Sequence, residues 1–147
     1  MNEMENNMIR EFTANDLDVV MKIWLDTNTN AHDFIPAGYW QGNFEEVKRM
    51  LPEADIFVYE KDNVIQGFIG LMENYIAGIF IDSNCQSQGI GKALLDHAKE
   101  IRSELSLQVY KNNTGAVRFY VREGFQQVKE QTDEHTGETE LVMEWTK

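Results

Sequence analysis

Two stretches of the chain combine residue types and spacings that could do chemistry. The first is Phe80-Ile81-Asp82-Ser83-Asn84-Cys85-Gln86-Ser87-Gln88-Gly89-Ile90-Gly91-Lys92-Ala93, where an apolar run enters a polar loop and the loop enters a helix with two glycines in its first turn. The free backbone N–H groups of such a helix start, aided by the helix dipole, form an anion site, and glycine lets a diphosphate approach the main chain closely. Phosphate is the implied ligand. Taken alone, Gly-x-Gly reads better as a strand-to-helix turn in which glycine eases packing. The dinucleotide fingerprint is not met, because Leu94 stands where its third glycine belongs, and a Walker loop is not met, because Lys92 is followed by Ala93. The second stretch is Asn113-Thr114-Gly115-Ala116-Val117-Arg118-Phe119-Tyr120-Val121-Arg122-Glu123-Gly124-Phe125. Asn113 falls at a helix start, and Tyr120 lies on the same face about two turns further on.

Other candidates are weaker. Ala31-His32-Asp33-Phe34-Ile35-Pro36-Ala37-Gly38-Tyr39-Trp40 is aromatic without a helical period. Aromatic walls suit a substrate with an apolar stem and a cationic head; Phe34, Tyr39 and Trp40 read equally well as caps of the core. His135, beside Asp133, Glu134 and Glu138, has metal-ligand chemistry but falls at a polar hairpin tip, where a solvated loop is the simpler reading. No metal is required. His97 falls on the polar face of its helix and reads as surface. Cys85 has no neighbouring base in sequence and reads as a small loop residue rather than a nucleophile.

Positioning these residues takes one folded domain. The chain has 147 residues, too few for two full domains, and at 42% hydrophobic it can build one sizeable core. A loose tail over residues 1–7 followed by a single domain over 8–147 is the expected organisation. The formal charge of -12, with no Lys/Arg run, argues against nucleic acid or an anionic membrane as partner and favours cations. A lone cysteine excludes an intramolecular disulfide and fits a reducing compartment. The stretch from Met1 to Asn7 resembles neither a signal nor a transit peptide, so the cytoplasm is the expected location.

The order of elements follows from periodicity. Met8 to Phe12 reads as a strand, and Thr13 with Asp16 as a capping pair. Leu17, Val20, Met21, Trp24 and Leu25 then form one buried helix face, broken at Asn28 to Ala31. A second helix carries Phe44, Val47 and Leu51 and is ended by Pro52. Strands over Ile56 to Glu60, Val64 to Glu73 and Tyr75 to Ile81, with turns at Asp62-Asn63 and Asn74, form an antiparallel meander. The helix opened by Gly89-Ile90-Gly91 presents Ile90, Leu94, Leu95, Ala98 and Ile101 to the core. Leu105, Leu107 and Val109 alternate as a strand, a short helix spans Thr114 to Glu123, and strands over Phe125 to Gln131 and Thr139 to Trp145 close the chain. The strands flanking the glycine-started helix are expected to be parallel, because a helical crossover joins parallel neighbours.

Read together, Gln86-x-x-Gly89-x-Gly91 and Asn113-x-x-Ala116-x-x-Phe119-Tyr120-x-x-x-Gly124-Phe125 resemble the GCN5-related N-acetyltransferases (GNAT), over nearly the whole chain. The resemblance implies that family's α/β fold, β-α-α-β-β-β-α-β-α-β-β, a mixed and mostly antiparallel central sheet flanked by helices. It implies that the helix start and its loop, Gln86, Ser87, Gln88, Gly89, Ile90, Gly91, Lys92 and Ala93, hold the pyrophosphate of coenzyme A. The main chain around Phe80 and Ile81 would pair with the pantetheine arm, Asn113 would hydrogen-bond that arm, and Ala116 and Phe119 would line its path. Tyr120 would protonate the departing thiolate. Ser83 stands where a proline is common in the family and Ser87 where a glycine is common, and neither change removes a backbone donor.

The same resemblance places the acceptor wall at His32, Phe34, Tyr39 and Trp40, with Tyr75 at the start of the strand before the loop. The segment from Ala31 to Trp40 resembles one found in a branch of small bacterial acetyltransferases. Many relatives carry a glutamate on that strand, but Tyr75 to Ile81 has no carboxylate. Glu73 is the nearest acid in sequence and His32 the other candidate base. The implied function is transfer of an acetyl group from acetyl-CoA to a primary amine, on a protein lysine or N-terminus or a small molecule, by direct attack in a ternary complex. The competing class is a non-catalytic acyl-CoA sensor, and retention of Tyr120 favours the enzyme. An alkylammonium with a pKa of ~10.4 must lose a proton before attack, and a phenol titrating at ~10 can supply one to the thiolate. A monomer or weak homodimer is expected.

Overall fold

The computed structural model describes residues 7–86 and 88–147. Among them, seven strands form one sheet. β1 (Asn7–Glu11), β2 (Asp55–Lys61), β3 (Val64–Met72) and β4 (Tyr75–Ile81) run antiparallel in sequence order. β5 (Glu104–Tyr110) lies parallel to β4, as the crossover requires. β7 (Thr139–Thr146) inserts between β5 and β6 (Gln126–Thr132), leaving β6 at the edge. Asn7 pairs in register with Lys61, so the strand takes in the last residue of the expected tail.

α1 (Leu17–Ala31) follows the Thr13 and Asp16 capping pair, whose Asp16 carboxylate accepts from the Thr13 N–H at 2.8 Å and from the Arg10 guanidinium at 2.8 Å. The break expected at Asn28 does not occur. The buried Asn28 side-chain amide donates to the Trp24 carbonyl at 2.9 Å, one turn back, and the helix continues to Ala31. α2 (Ala37–Met50) starts directly after Pro36, so Ala37 to Trp40 are its first turn and not irregular chain. Leu51–Glu53 adds one tight turn around Pro52.

α1 and α2 cover one face of the sheet, burying Val20, Met21, Trp24 and Trp40 against Ile56, Val58 and Phe68. α3 (Ile90–Ile101) and α4 (Thr114–Arg122) cover the other, against Ile69, Leu71, Ile76, Leu105, Leu107 and Met143. Two sequence assignments on α3 change. Ile101, the last residue of the helix, is 40% exposed, and the buried stripe stops at Ala98. His97 is half-buried, its ring 4.7 Å from that of Phe57 and its Nε2 shielded from solvent, because β2 reaches under that side of the helix.

The feature that opens the site is a bulge. Gly70 pairs with Gly78 and Leu71 with Ile76, so Ala77 is an extra residue in β4. At the same level β4 leaves β5, to which it is paired only at Tyr75↔Ser106 and Ile76↔Leu107, while β5 stays paired with β7 along its whole length. Past Ile76 the two parallel strands splay. Among the described residues no helix is long and apolar enough to cross a membrane.

Candidate active site

A cavity of about 330 Å³ runs through the splay. Ala77 to Phe80 of β4 and Gln108 to Tyr110 of β5 form its two sides. Phe80 stacks on Phe68 at 4.8 Å and lies over Gly78, where any Cβ would collide with its ring. Glycine is needed there for the aromatic to close over the strand. The Ile81 carbonyl accepts from the Thr27 hydroxyl at 3.2 Å, tying the end of β4 to α1.

α4 supplies the wall on the side of α3. Asn113 caps it, its Oδ1 accepting from the Ala116 N–H at 3.4 Å, which is why a short polar residue precedes this helix. Ala116 and Tyr120 line the cavity from the same face, as their spacing predicts. Tyr120 is 8% exposed and packs on Phe119 and Phe125 at 5.2 and 5.5 Å. Burial, with a smaller contribution from Tyr75, raises its phenol well above the ordinary value, so it keeps its proton at any physiological pH. Phe119 lies beside Gly91, whose added Cβ would meet its ring at 3.6 Å.

The helix start presents the free N–H groups expected of an anion site, with two exceptions. Gly89 is the N-cap residue at φ 80°, and Ile90, Gly91 and Lys92 stand in the first turn, whose N–H groups have no carbonyl four residues back inside the helix. The N–H of Ala93 does have one, donating to Gly89 at 3.0 Å, so Ala93 offers no free donor. Lys92 turns to Glu123 at 3.1 Å and Asp96 at 3.3 Å, and its charge is already matched. Gln86 and Gln88 are exposed beside the helix start, and Ser87 lies outside the described residues.

On the face of α1 and α2 the cavity is aromatic and acidic. His32 stacks on Trp40 at 5.2 Å and meets Phe34 and Tyr110 edge-on at 5.6 and 5.1 Å. Trp40 is itself 8% exposed and packs edge-on to Trp24, so it is both core and wall. Phe34 and Tyr39 stand one layer behind the lining. His32 Nε2 lies 3.3 Å from the Asn113 amide nitrogen, which joins the end of α1 to the start of α4. Desolvation lowers the His32 pKa to about 4, so the ring is neutral and its Nε2 accepts from Asn113.

That depressed value has a consequence for stability. The unfolded chain takes up a proton at this position as pH falls through 6.5, and the folded chain resists until about 4. The His32 contribution is therefore complete above pH 6.5 and lost on the way to 4. Thermal melts of wild type and His32→Gln should differ less at pH 4.5 than at pH 7; a difference independent of pH would show that His32 is not held neutral.

The acids in space are not the acid in sequence. Glu73 is exposed in the β3–β4 turn at φ 56°, its carbonyl accepts from Arg102 Nε at 2.9 Å, and it does not line the cavity. The strand start that brings Tyr75 to the cavity leaves Glu73 outside it, so it is not placed to act as a base. Asp133 and Glu140 line the cavity instead, with Asn28, Gln108 and Tyr110 as further residues that the sequence reading did not single out. Asp133 accepts from the Tyr110 hydroxyl at 2.6 Å and the His135 N–H at 2.8 Å. Partial burial works to raise its pKa, but these bonds and those from Thr136 outweigh it and hold the carboxyl below its usual range. His135 is exposed, but the solvated-tip reading does not extend to Asp133. The cross-strand row Tyr110, Glu140, Gln131 in β5, β7 and β6 brings Glu140 to the same face. Only pairing beyond the local sequence reveals it.

Known proteins share this fold. A family model described as an acetyltransferase (GNAT) domain matches residues 28–147, and the chain belongs to the GNAT acetyltransferases, a family of N-acetyltransferase enzymes. The peptidyl-lysine N-acetyltransferase YiaC of Escherichia coli K12 is 33% identical over 140 residues, 94% of this chain and 96% of its own. The spermine/spermidine N(1)-acetyltransferase of Bacillus subtilis strain 168 is 30% identical over 114 residues, 71% of this chain and 68% of its own. The solution structure of apo YjaB from Escherichia coli matches with a TM-score of 0.84 at 27% identity, covering 95% of this chain and 97% of that one.

Proposed function

We propose that the chain moves the acetyl group of acetyl-CoA to a cationic primary amine by direct attack in a ternary complex. One observation carries this: a single cavity crosses the splay between β4 and β5, with Asn113, Ala116 and Tyr120 on one side and Trp40, Tyr110, Asp133 and Glu140 on the other. Coenzyme A fits the first side. Beyond Ile76 the edge of β4 is released from β5 and can receive the pantetheine arm as an extra strand, while the α3 N-terminus offers unpaired N–H groups to the pyrophosphate. Acetyl-CoA supplies the activated thioester. A main-chain N–H near Ile81 serves the developing oxyanion. Tyr120, held protonated by burial, delivers its proton to the departing thiolate. The second side suits an alkylammonium, whose stem meets aromatic rings and whose head meets carboxylates. Peptidyl-lysine and spermine, named for the relatives, both present that group.

An amine panel assayed for release of free thiol tests this reading. Turnover with alkylamines is expected. Tight binding of acetyl-CoA with no thiol release from any amine would instead make the chain a sensor. For the acceptor side, Tyr39→Ala, which removes the ring packed edge-on behind the Trp40 wall at 4.9 Å, should raise the KM of the amine several-fold and leave that of acetyl-CoA nearly unchanged. Trp40→Ala is a poorer probe, because truncating so buried a ring costs about 3–5 kcal/mol of stability. Equal effects of Tyr39→Ala on both substrates would remove that wall from the acceptor site.

A further inference from the structure

Two carboxylates line the cavity and they are not equivalent. Both oxygens of Asp133 are engaged, Oδ2 by the Tyr110 hydroxyl at 2.6 Å and Oδ1 by the His135 N–H at 2.8 Å. Glu140 receives one bond, from Gln131 Nε2 to Oε1 at 2.8 Å, and its Oε2 has no partner among the described residues. Its backbone is fixed in mid-sheet, opposite Tyr110 of β5 and Gln131 of β6. We propose that Glu140 is the base that takes the proton of the bound ammonium, while Asp133 is the fixed anion that docks it.

This rests on the acetyl-transfer reading above. The other groups around Glu140 are unsuited to the task. His32 is neutral, but its Nε2 already meets Asn113. The phenols of Tyr39, Tyr75, Tyr110 and Tyr120 all have raised pKa values and hold their protons. Glu140 adds to that rise in both Tyr39 and Tyr75, so its charge is felt across the cavity. Closing an ammonium against a carboxylate away from water disfavours the charged pair relative to free amine and carboxylic acid.

The protons balance. The ammonium gives one proton to Oε2 of Glu140, which later returns it to solvent. The amine nitrogen bonds to the thioester carbon, the C–S bond breaks, and the thiolate takes the Tyr120 proton. The second proton lost by the nitrogen restores the phenol, and the products are an N-alkylacetamide, free coenzyme A and one proton.

Steady-state kinetics of Glu140→Gln and Asp133→Asn test the division of roles. At pH 7 and saturating alkylamine, Glu140→Gln should lower kcat by ~10²-fold or more. That loss should shrink as pH approaches the pKa of the ammonium. It should also shrink to a few-fold, already at neutral pH, with an amine acidified by fluorine until it is mostly unprotonated. Asp133→Asn should act chiefly on the KM of the amine. Coenzyme A affinity, unchanged in both, reports that the fold is intact. A Glu140→Gln loss confined to KM, or a kcat loss independent of pH and of amine acidity, overturns the assignment. Wild type inactive on every amine overturns the acetyl-transfer reading itself.

Discussion

Tyr120→Phe is expected to lower kcat by ~10²- to 10⁴-fold, the usual worth of a general acid, with coenzyme A affinity nearly unchanged. The substitution isolates the hydroxyl. The ring is 8% exposed and its contacts with Phe119 and Phe125 survive, so the packing that places α4 against the sheet is kept. The hydroxyl makes no hydrogen bond to a described residue, so its removal leaves no protein group without a partner and stability should move little. The pH profile sharpens the test. A phenol at its ordinary ~10 would produce an alkaline limb in wild-type kcat. Burial raises this one well beyond that, so the acid form persists and no such limb should appear below pH ~10. Retention of most of the wild-type kcat would make Tyr120 a core aromatic and leave the thiolate to take its proton from water.

Gly89→Val should abolish coenzyme A binding while the domain stays folded. Gly89 holds φ 80°, a left-handed conformation that costs an L-residue roughly 1–2 kcal/mol, and a β-branched one more. Nothing lies within 4 Å of a Cβ added there, so the penalty comes from the backbone rather than from crowding. The chain relieves it by turning the peptide that sets the first N–H groups of α3. Meanwhile Ile90, Leu94, Leu95 and Ala98 remain buried and anchor the rest of the helix. The two effects separate in measurement. Titration calorimetry with coenzyme A should show no binding, while thermal melting stays cooperative at a modestly lower temperature. Wild-type affinity would mean that the pyrophosphate does not sit at this helix start.

Most of the architecture and half of the site can be read from local sequence. Local residue patterns locate the capping pair at Thr13 and Asp16, the buried stripe of α1, that of α3 as far as Ala98 and the two-residue turn at Asp62-Asn63, because each depends on neighbours within a few residues, and the helical crossover through α3 sets the parallel relation of β4 and β5. The side of the cavity proposed for coenzyme A is legible for the same reason. A glycine-started helix and a helix opened by Asn113 with Tyr120 two turns on are each contiguous, so residue types at fixed spacing carry the geometry.

The side proposed for the acceptor was decided elsewhere. Whether the chain before Trp40 is loop or helix depended on Asn28 bonding back to Trp24 and on Pro36 opening α2 directly. The acid nearest in sequence, Glu73, was left in a turn outside the cavity. Asp133 and Glu140 reach the cavity because β7 inserts between β5 and β6, and because a one-residue bulge at Ala77 parts β4 from β5. Strand order and bulge position depend on which long-range pairings bury the most apolar surface. That sum runs over the whole sheet and leaves no mark at any single position in the sequence.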